Sequence, residues 1–554
     1  MPCRPRLLDH PTGSLESEGL TMADNLSADV VIVGSGVAGA LVAHQLALSG
    51  ASVLVLEAGP RLERWRIVEN YRNTPSKDDF MVPYPSTKYA PHPEYTPENN
   101  YLILKGSHKY NSQYIRAVGG TTWHWAAAAW RFLPNDFKMK TLYGVGRDWP
   151  ISYDELEPYY YRAEVELGVS GPNDGTDLGS PRKQPYPMDH LPLSWNDQRF
   201  SAVVNGAGHK VVSEPVARNS RAYDERPNCC GNNNCMPICP IAAMYSGIIH
   251  VEKAEKAGAK VLPDAVVYRI EVDAKERISA VHYKDPEGVT HRVTGKYFVL
   301  AANGIEIPKL MLMSTDDKHG KGVGNSSDQV GRNLMDHPGT GVTFLANEDL
   351  WPGRGPIEMT SIVDMRDGAF RSEYAAKKLH LNNMAQTNHA AQTALKDGLV
   401  GVKLNQEIRR RAARTVNINS FHDILPDPEN RIRPSTEKRD ALGIPQPEIT
   451  YSINDYVQKS AVLTHQAYAS IAAMFGGTEI KFDDDFAPNN HIMGATIMGG
   501  DPRDSVVDAH CRSHDHENLF IASGSVMPVA GTVNCTLTIA ALSLRIADTL
   551  RTVL

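Results

Sequence analysis

Residues 29–59 read DVVIVGSGVAGALVAHQLALSGASVLVLEAG. Asp29 to Val33 is a short β-branched apolar run closed by glycine, the pattern of a strand buried on both faces. Gly34, Gly36 and Gly39 then set the spacing G-x-G-x-x-G at the entry to an amphipathic segment, Ala40 to Ser49. A second strand, Ser52 to Leu56, ends on Glu57, 23 residues past Gly34. The glycines let the backbone approach a pyrophosphate, and the N–H groups opening the helix turn the positive end of its dipole toward it. A carboxylate at Glu57 can accept both hydroxyls of an adenosine ribose. No basic residue replaces Glu57, so nothing calls for a 2′-phosphate. A glycine triplet alone would mark only a tight turn; strand, helix, strand and terminal acid in register predict a dinucleotide-binding α/β unit.

The chain has 554 residues, 42% hydrophobic and 22% charged, a composition ordinary for a globular enzyme. Its formal charge of −7 argues against a nucleic-acid partner, and the basic run Glu407 to Arg414 reads as a solvated helix face. No apolar run approaches the roughly 18 residues of a membrane span. Residues 1–27 carry charge and proline without an apolar signal core and read as a disordered leader, with Met22 an alternative start. Arg61 to His108, rich in proline, tyrosine and asparagine, reads as long loops.

Ala117 to Trp130, AVGGTTWHWAAAAW, places Gly119, Gly120 and Thr121 just before His124, which sits between two tryptophans. Together with the fingerprint ending in LEAG and with Asp148 to Tyr160, DWPISYDELEPYY, it resembles the glucose-methanol-choline oxidoreductase family. The resemblance implies FAD as the cofactor. It also makes His124 a candidate for a covalent bond to the flavin 8α carbon, although other members carry asparagine there and hold FAD non-covalently. It places the backbone of Val267 against adenine and Gly524 beside the flavin diphosphate, although Ala522-Ser523-Gly524 lacks the aspartate that commonly ends this strand. Gly331 to Gly339, GRNLMDHPG, is a further family element, expected to be structural.

Four of the seven cysteines crowd into Cys229 to Cys239, CCGNNNCMPIC, which is no disulfide framework. From Cys229 the spacing is C-x5-C-x3-C followed by Pro240, with Cys230 an extra thiol. Soft sulfur ligands select zinc, copper(I) or iron–sulfur clusters. The paired knuckles or histidines of structural zinc are missing, and a Cys-Pro ending is the iron–sulfur habit. Within the family this motif resembles the catalytic subunits of bacterial membrane-associated FAD-dependent sugar dehydrogenases, of glucose and of fructose. That resemblance implies a 3Fe–4S cluster on Cys229, Cys235 and Cys239.

Near the C-terminus, Asn489-Asn490-His491 and Gly531-Thr532-Val533-Asn534 supply an imidazole and an amide. Oxidising an alcohol by hydride transfer needs a base for the hydroxyl proton, and an imidazole with a pKa of about 6.5 suits it. An isolated histidine is more often structural. The family's C-terminal pattern makes His491 the base and Asn534 its partner.

The expected organisation alternates two units: FAD-binding parts over 28–150, 246–345 and 488–554, an antiparallel-sheet substrate domain over 151–210 and 346–487, and the cysteine-rich segment 211–245 between them. The expected activity is oxidation of a sugar, first an aldose such as glucose at C1, with fructose, sorbitol or gluconate as alternatives. Single electrons would leave through the cluster to a cytochrome or quinone. The resemblance implies a small chaperone-like partner bearing a twin-arginine signal, a membrane-bound multihaem cytochrome c subunit, and a location on the periplasmic side of the inner membrane. The competing readings are an oxygen-using oxidase and an electron-relay or redox-sensing flavoprotein without substrate chemistry.

Overall fold

A computed structural model describes residues 26–75, 77, 80–93 and 101–554. The expected leader lies outside the described residues except for Leu26 and Ser27, which already pair in the first strand, and Cys3 lies outside them too.

The fingerprint folds as read: β1 (Leu26–Val33), α1 (Val37–Leu48) and β2 (Val53–Leu56). Val30, Val31 and Ile32 are fully buried, as a strand covered on both faces requires. A Cβ on Gly39 would stand 2.0 Å from the Gly34 carbonyl oxygen, so only glycine lets the helix pack this closely on its turn. Downstream come α4 (Ile248–Lys256), β4 (Lys260–Leu262), β5 (Val266–Val272), β6 (Ile278–Lys284), β7 (Thr290–Leu300), α5 (Asn303–Met313) and β13 (Leu519–Ile521). The sheet order is β4-β2-β1-β7-β6-β5, with β13 also on β7. β1, β2, β4, β7 and β13 run parallel, so Val33, Leu56, Leu300 and Ile521 end at one edge. A ligand site is expected beyond such an edge. The last helix, α9 (Thr536–Arg551), packs on α1 and on α3 (Tyr153–Leu167).

A second, fully antiparallel sheet of six strands has the order β12-β8-β11-β10-β9-β3. Its members are β3 (Val211–Ser213), β8 (Gly341–Leu345), β9 (Glu358–Ile362), β10 (Lys377–Asn382), β11 (Thr415–His422) and β12 (Thr478–Phe482). Helix α8 (Asp455–Met474) and the helix Trp195–Gly206 share its apolar core, around Phe200, Phe344, Tyr468 and Phe475. This is the mixed α/β architecture expected. The antiparallel sheet draws β3 and β8 from just outside the stretches assigned to the substrate domain.

One local expectation is corrected. Arg64–Asn73, inside the stretch read as loops, is a helix, α2, with Ile67 its only buried residue. Farther along the chain lie two helices, α6 (Thr387–Lys396) and α7 (Gly401–Arg414), separated at Gly398 with φ of +75°. The basic run lies on α7 with Ala413 its only buried residue, a solvated face as expected. No helix of the described residues is long and apolar enough to cross a membrane.

Candidate active site

A cavity of about 410 Å³ lies beyond the parallel strand ends and reaches across to the antiparallel sheet. Gly34, Gly36, Glu57, Gly120, Thr121, His124, Val267, His491, Gly524 and Asn534 all line it. Gly39 and Gly119 support it from behind: Gly39 packs α1 on its turn, and the Gly119 N–H donates to Ser35 Oγ at 3.2 Å.

At one end, the Glu57 carboxylate accepts from Ser35 N–H at 2.9 Å, Ser35 Oγ–H at 2.6 Å and Gly59 N–H at 3.1 Å. Burial pushes its pKa up, and these bonds oppose the push. Helix α1 has no side-chain cap, and a Cβ on Gly36 would meet nothing within 4 Å, so the first N–H groups of the helix stand open to a ligand. α9 also starts uncapped, with Cys535 and Thr536 on the lining. His124 is buried with neither ring nitrogen bonded, and burial holds its pKa down at about 4. It therefore presents a neutral imidazole to the cavity.

At the other end, the hydrogen bonds fix the protonation of two histidines. His337 Nε2 lies 3.1 Å from the carbonyl oxygens of both Ala530 and Gly531, which only accept, so Nε2 carries the proton. Burial lowers the pKa of His337 to about 4, which leaves its Nδ1 bare at neutral pH. His491 Nδ1 lies 2.8 Å from that atom and must be the donor. Nε2 of His491 thus carries the unprotonated lone pair, and Asn534 Nδ2–H donates to it at 3.1 Å. Lys378 Nζ–H donates to Asn534 Oδ1 at 3.4 Å, which turns the amide so that its NH₂ faces the imidazole. Asp336 holds the backbone in place, accepting from the N–H groups of His337, Asn490 and His491 at 2.6, 3.1 and 2.9 Å. Burial, then the neighbouring His337 and Lys378, keep the pKa of His491 well below the ordinary value. The ring is a neutral base with its accepting nitrogen oriented in advance.

The GMC oxidoreductase family matches residues 29–339 and 426–543, more than half of the chain. The chain belongs to the GMC oxidoreductases. It is 56% identical over 533 residues to the fructose dehydrogenase large subunit of Gluconobacter japonicus, spanning 95% of this chain and 98% of that one. It is 22% identical over 612 residues to the gluconate 2-dehydrogenase flavoprotein of Pantoea cypripedii, spanning 98% and 96%. The solved structure of pyridoxine 4-oxidase from Mesorbium loti shares the fold, with a TM-score of 0.63 at 16% identity over 95% of this chain and 99% of that one.

The family's FAD fits this cavity. Two uncapped helix starts, the open space at Gly36, the carboxylate at Glu57 and the unpartnered nitrogens of His124 are spread along its lining.

The cysteine loop adjoins the same cavity, because Met236, next to Cys235, is part of the lining. Cys235 and Cys239 are buried, Cys229 is half-buried and Cys230 is exposed. Burial raises the pKa of Cys229, and Cys235 and Cys239 add to the rise, so the three sulfurs share one locality. Arg64 Nη1–H donates to the Cys239 carbonyl at 2.9 Å, and Asn233 ties the loop to the carbonyls of Gly355 and Asn383 at 2.8 Å. Among the described residues, three metal-ligating atoms come within 4.8 Å of one another at His44, Glu166 and His250 and at Asp336, His337 and His491, and not at the cysteines. A cluster needs less crowding than a single ion, since each thiolate binds a different iron.

GRNLMDHPG does more than the structural work expected of it. Its backbone runs antiparallel to the His491 segment, through bridges Met335–Met493 and Gly339–Ala487, and this sets His337 against His491. Sequence reasoning also passed over Lys378, His380 and Glu358. The available signal was a lysine and a histidine two apart in KKLHLN, on the face opposite Leu379 and Leu381.

Proposed function

We propose that this chain is the flavin-bearing catalytic polypeptide of a sugar dehydrogenase. The observation that carries the reading is the lone pair on His491 Nε2, fixed by His337 and Asn534 at the cavity wall. FAD, when bound, supplies a two-electron acceptor for the hydride leaving the carbinol carbon. His491 takes the hydroxyl proton at Nε2, and the Asn534 amide holds the substrate oxygen beside it. At the other end Glu57 holds the adenosine ribose, Gly34, Gly36 and the start of α1 receive the pyrophosphate, and the backbone of Val267 borders the adenine. Gly119, Gly120, Thr121 and Gly524 shape the flavin's seat, with His124 in place for a covalent link. The start of α9 brings positive potential to the reduced flavin.

A 3Fe–4S cluster on Cys229, Cys235 and Cys239 would supply a one-electron relay. The two buried thiols and the contact of their loop with the cavity support it. Among sugars, the 56% identical relative shifts the preference from the expected aldose, glucose, to fructose. That relative is a large subunit, which supports partner subunits here: a small chaperone-like protein with a twin-arginine signal, and a membrane-bound cytochrome c that holds the complex on the periplasmic side.

Anaerobic addition of fructose, glucose, sorbitol or gluconate, followed at flavin wavelengths and by electron paramagnetic resonance, tests both parts. Bleaching by one sugar and loss of the oxidised cluster's paramagnetic signal are expected. No bleaching by any of the four would overturn the substrate reading. Protein free of iron and acid-labile sulfide would overturn the relay, and stoichiometric peroxide in air would favour an oxidase.

A further inference from the structure

Next to the His491–Asn534 pair the antiparallel sheet presents a polar wall, made from β9 and β10. Most of its groups are satisfied within the protein. Glu214 accepts from Trp130 Nε1–H at 2.9 Å, from Lys378 Nζ–H at 3.2 Å and from Ser361 Oγ–H. Lys378 divides its protons between Glu214 and Asn534. Glu358 is different. It opens β9 and lines the cavity, and its Oε2 is buried without a partner. Its Oε1 lies 3.9 Å from His380 Nε2, too far for a hydrogen bond, and His380 Nδ1 is also buried and unpartnered. The distance to the chemistry is short: the Phe421 ring packs 4.7 Å from His380 on one side and 5.1 Å from His491 on the other.

A carboxyl at the cavity wall with unmet hydrogen-bonding capacity, one aromatic ring from the base, is a seat for a ligand hydroxyl. We propose, on the reading of the site given above, that Glu358 receives a second hydroxyl of the substrate, apart from the one that His491 deprotonates. The enzyme would then select neutral polyhydroxylated substrates. Simple alcohols lack the second hydroxyl. Sugar acids are disfavoured where Glu358 is ionised, because two carboxylates would then meet at the seat and Lys378 is already paired with Glu214.

Burial and Glu214 push the pKa of Glu358 up to about 7, while Lys378 and Arg218 oppose the rise. His380 and His491 stay neutral beside it, both lowered by burial. Near neutral pH the carboxyl therefore changes between a form that can donate to a sugar oxygen and one that only accepts.

The test pairs Glu358→Leu and Glu358→Gln holoenzymes with the best sugar and its set of mono-deoxy analogues, measuring anaerobic flavin reduction. In the unsubstituted enzyme one deoxy position raises KM about 10- to 100-fold, the cost of one hydrogen bond to a charged partner. Glu358→Leu raises KM for the parent sugar by a similar factor and abolishes the penalty at that position alone, with the limiting reduction rate little changed. Glu358→Gln keeps part of the affinity and removes the pH dependence of KM around pH 7, so a Leu variant that fails to fold does not end the test. Equal KM changes for the parent sugar and every analogue would overturn the assignment, as would a Gln variant with an unaltered pH profile. Absence of flavin reduction by any sugar in the unsubstituted enzyme would overturn the dehydrogenase reading, and this inference with it.

Discussion

Two carboxyls face the same cavity from different sheets, and burial pushes both pKa values up. Glu57 is finished by its own turn, since three protein donors hold its oxygens. Glu358 is not, since its Oε2 has no protein partner. A group satisfied in advance is rigid and suits a resident cofactor. A group left open is completed only by what binds and leaves, which suits a substrate. On the function proposed above, the cavity has a finished cofactor end and an unfinished substrate end.

The largest expected effect falls on the substrate end. His491→Ala should slow anaerobic flavin reduction about 10²- to 10⁴-fold, the range for loss of a general base, with the flavin spectrum intact. A reduction rate within a few-fold of the unsubstituted enzyme would break the assignment of that end. His337→Phe should cost about tenfold in the same rate, because His491 loses the acceptor that fixes its proton on Nδ1, and His337→Gln, which keeps a donor and an acceptor, should recover most of it. Equal losses in the two variants would reduce His337 to packing.

Glu57→Gln sharpens the contrast from the other side. FAD should bind about tenfold more weakly, read by retention on gel filtration and by the rise in Tm on adding FAD, while KM for the sugar stays put. The smallest effect is in pH. Because burial holds His491 well below the ordinary histidine value, the base stays neutral as pH falls through 6.5. The limiting reduction rate should accordingly be flat from pH 8 to below 6.5, in stopped-flow measurements across that range. A midpoint near 6.5 would place the base in water-accessible surroundings and contradict the packing.

What was legible follows from how local the signal is. Strand, turn, helix and acid fit within Asp29–Gly59, and so Gly34, Gly36, Gly39 and Glu57 could be read with their geometry. His491 and Asn534, 43 residues apart, were placed by resemblance alone, and the structure brings them within 3.1 Å. α2 was missed because a helix with only Ile67 buried carries no apolar stripe, and what anchors it, Arg64 on Cys239 and Ser246, is distant in sequence. His337 and Lys378 were missed for a related reason. Each acts through an atom supplied by another strand or loop, and nothing in the neighbouring residues records that partner.

The sequence by itself determined the dinucleotide unit, the family, the kind of chemistry and the sulfur-rich loop, because each is written in a contiguous run whose residue types the chemistry demands. Only the tertiary structure decided which nitrogen of His491 is free, which amide edge of Asn534 faces it, and which carboxyl is left open beside them. Those are questions of hydrogen-bond direction, and direction exists only once donors and acceptors from separate segments share one buried space.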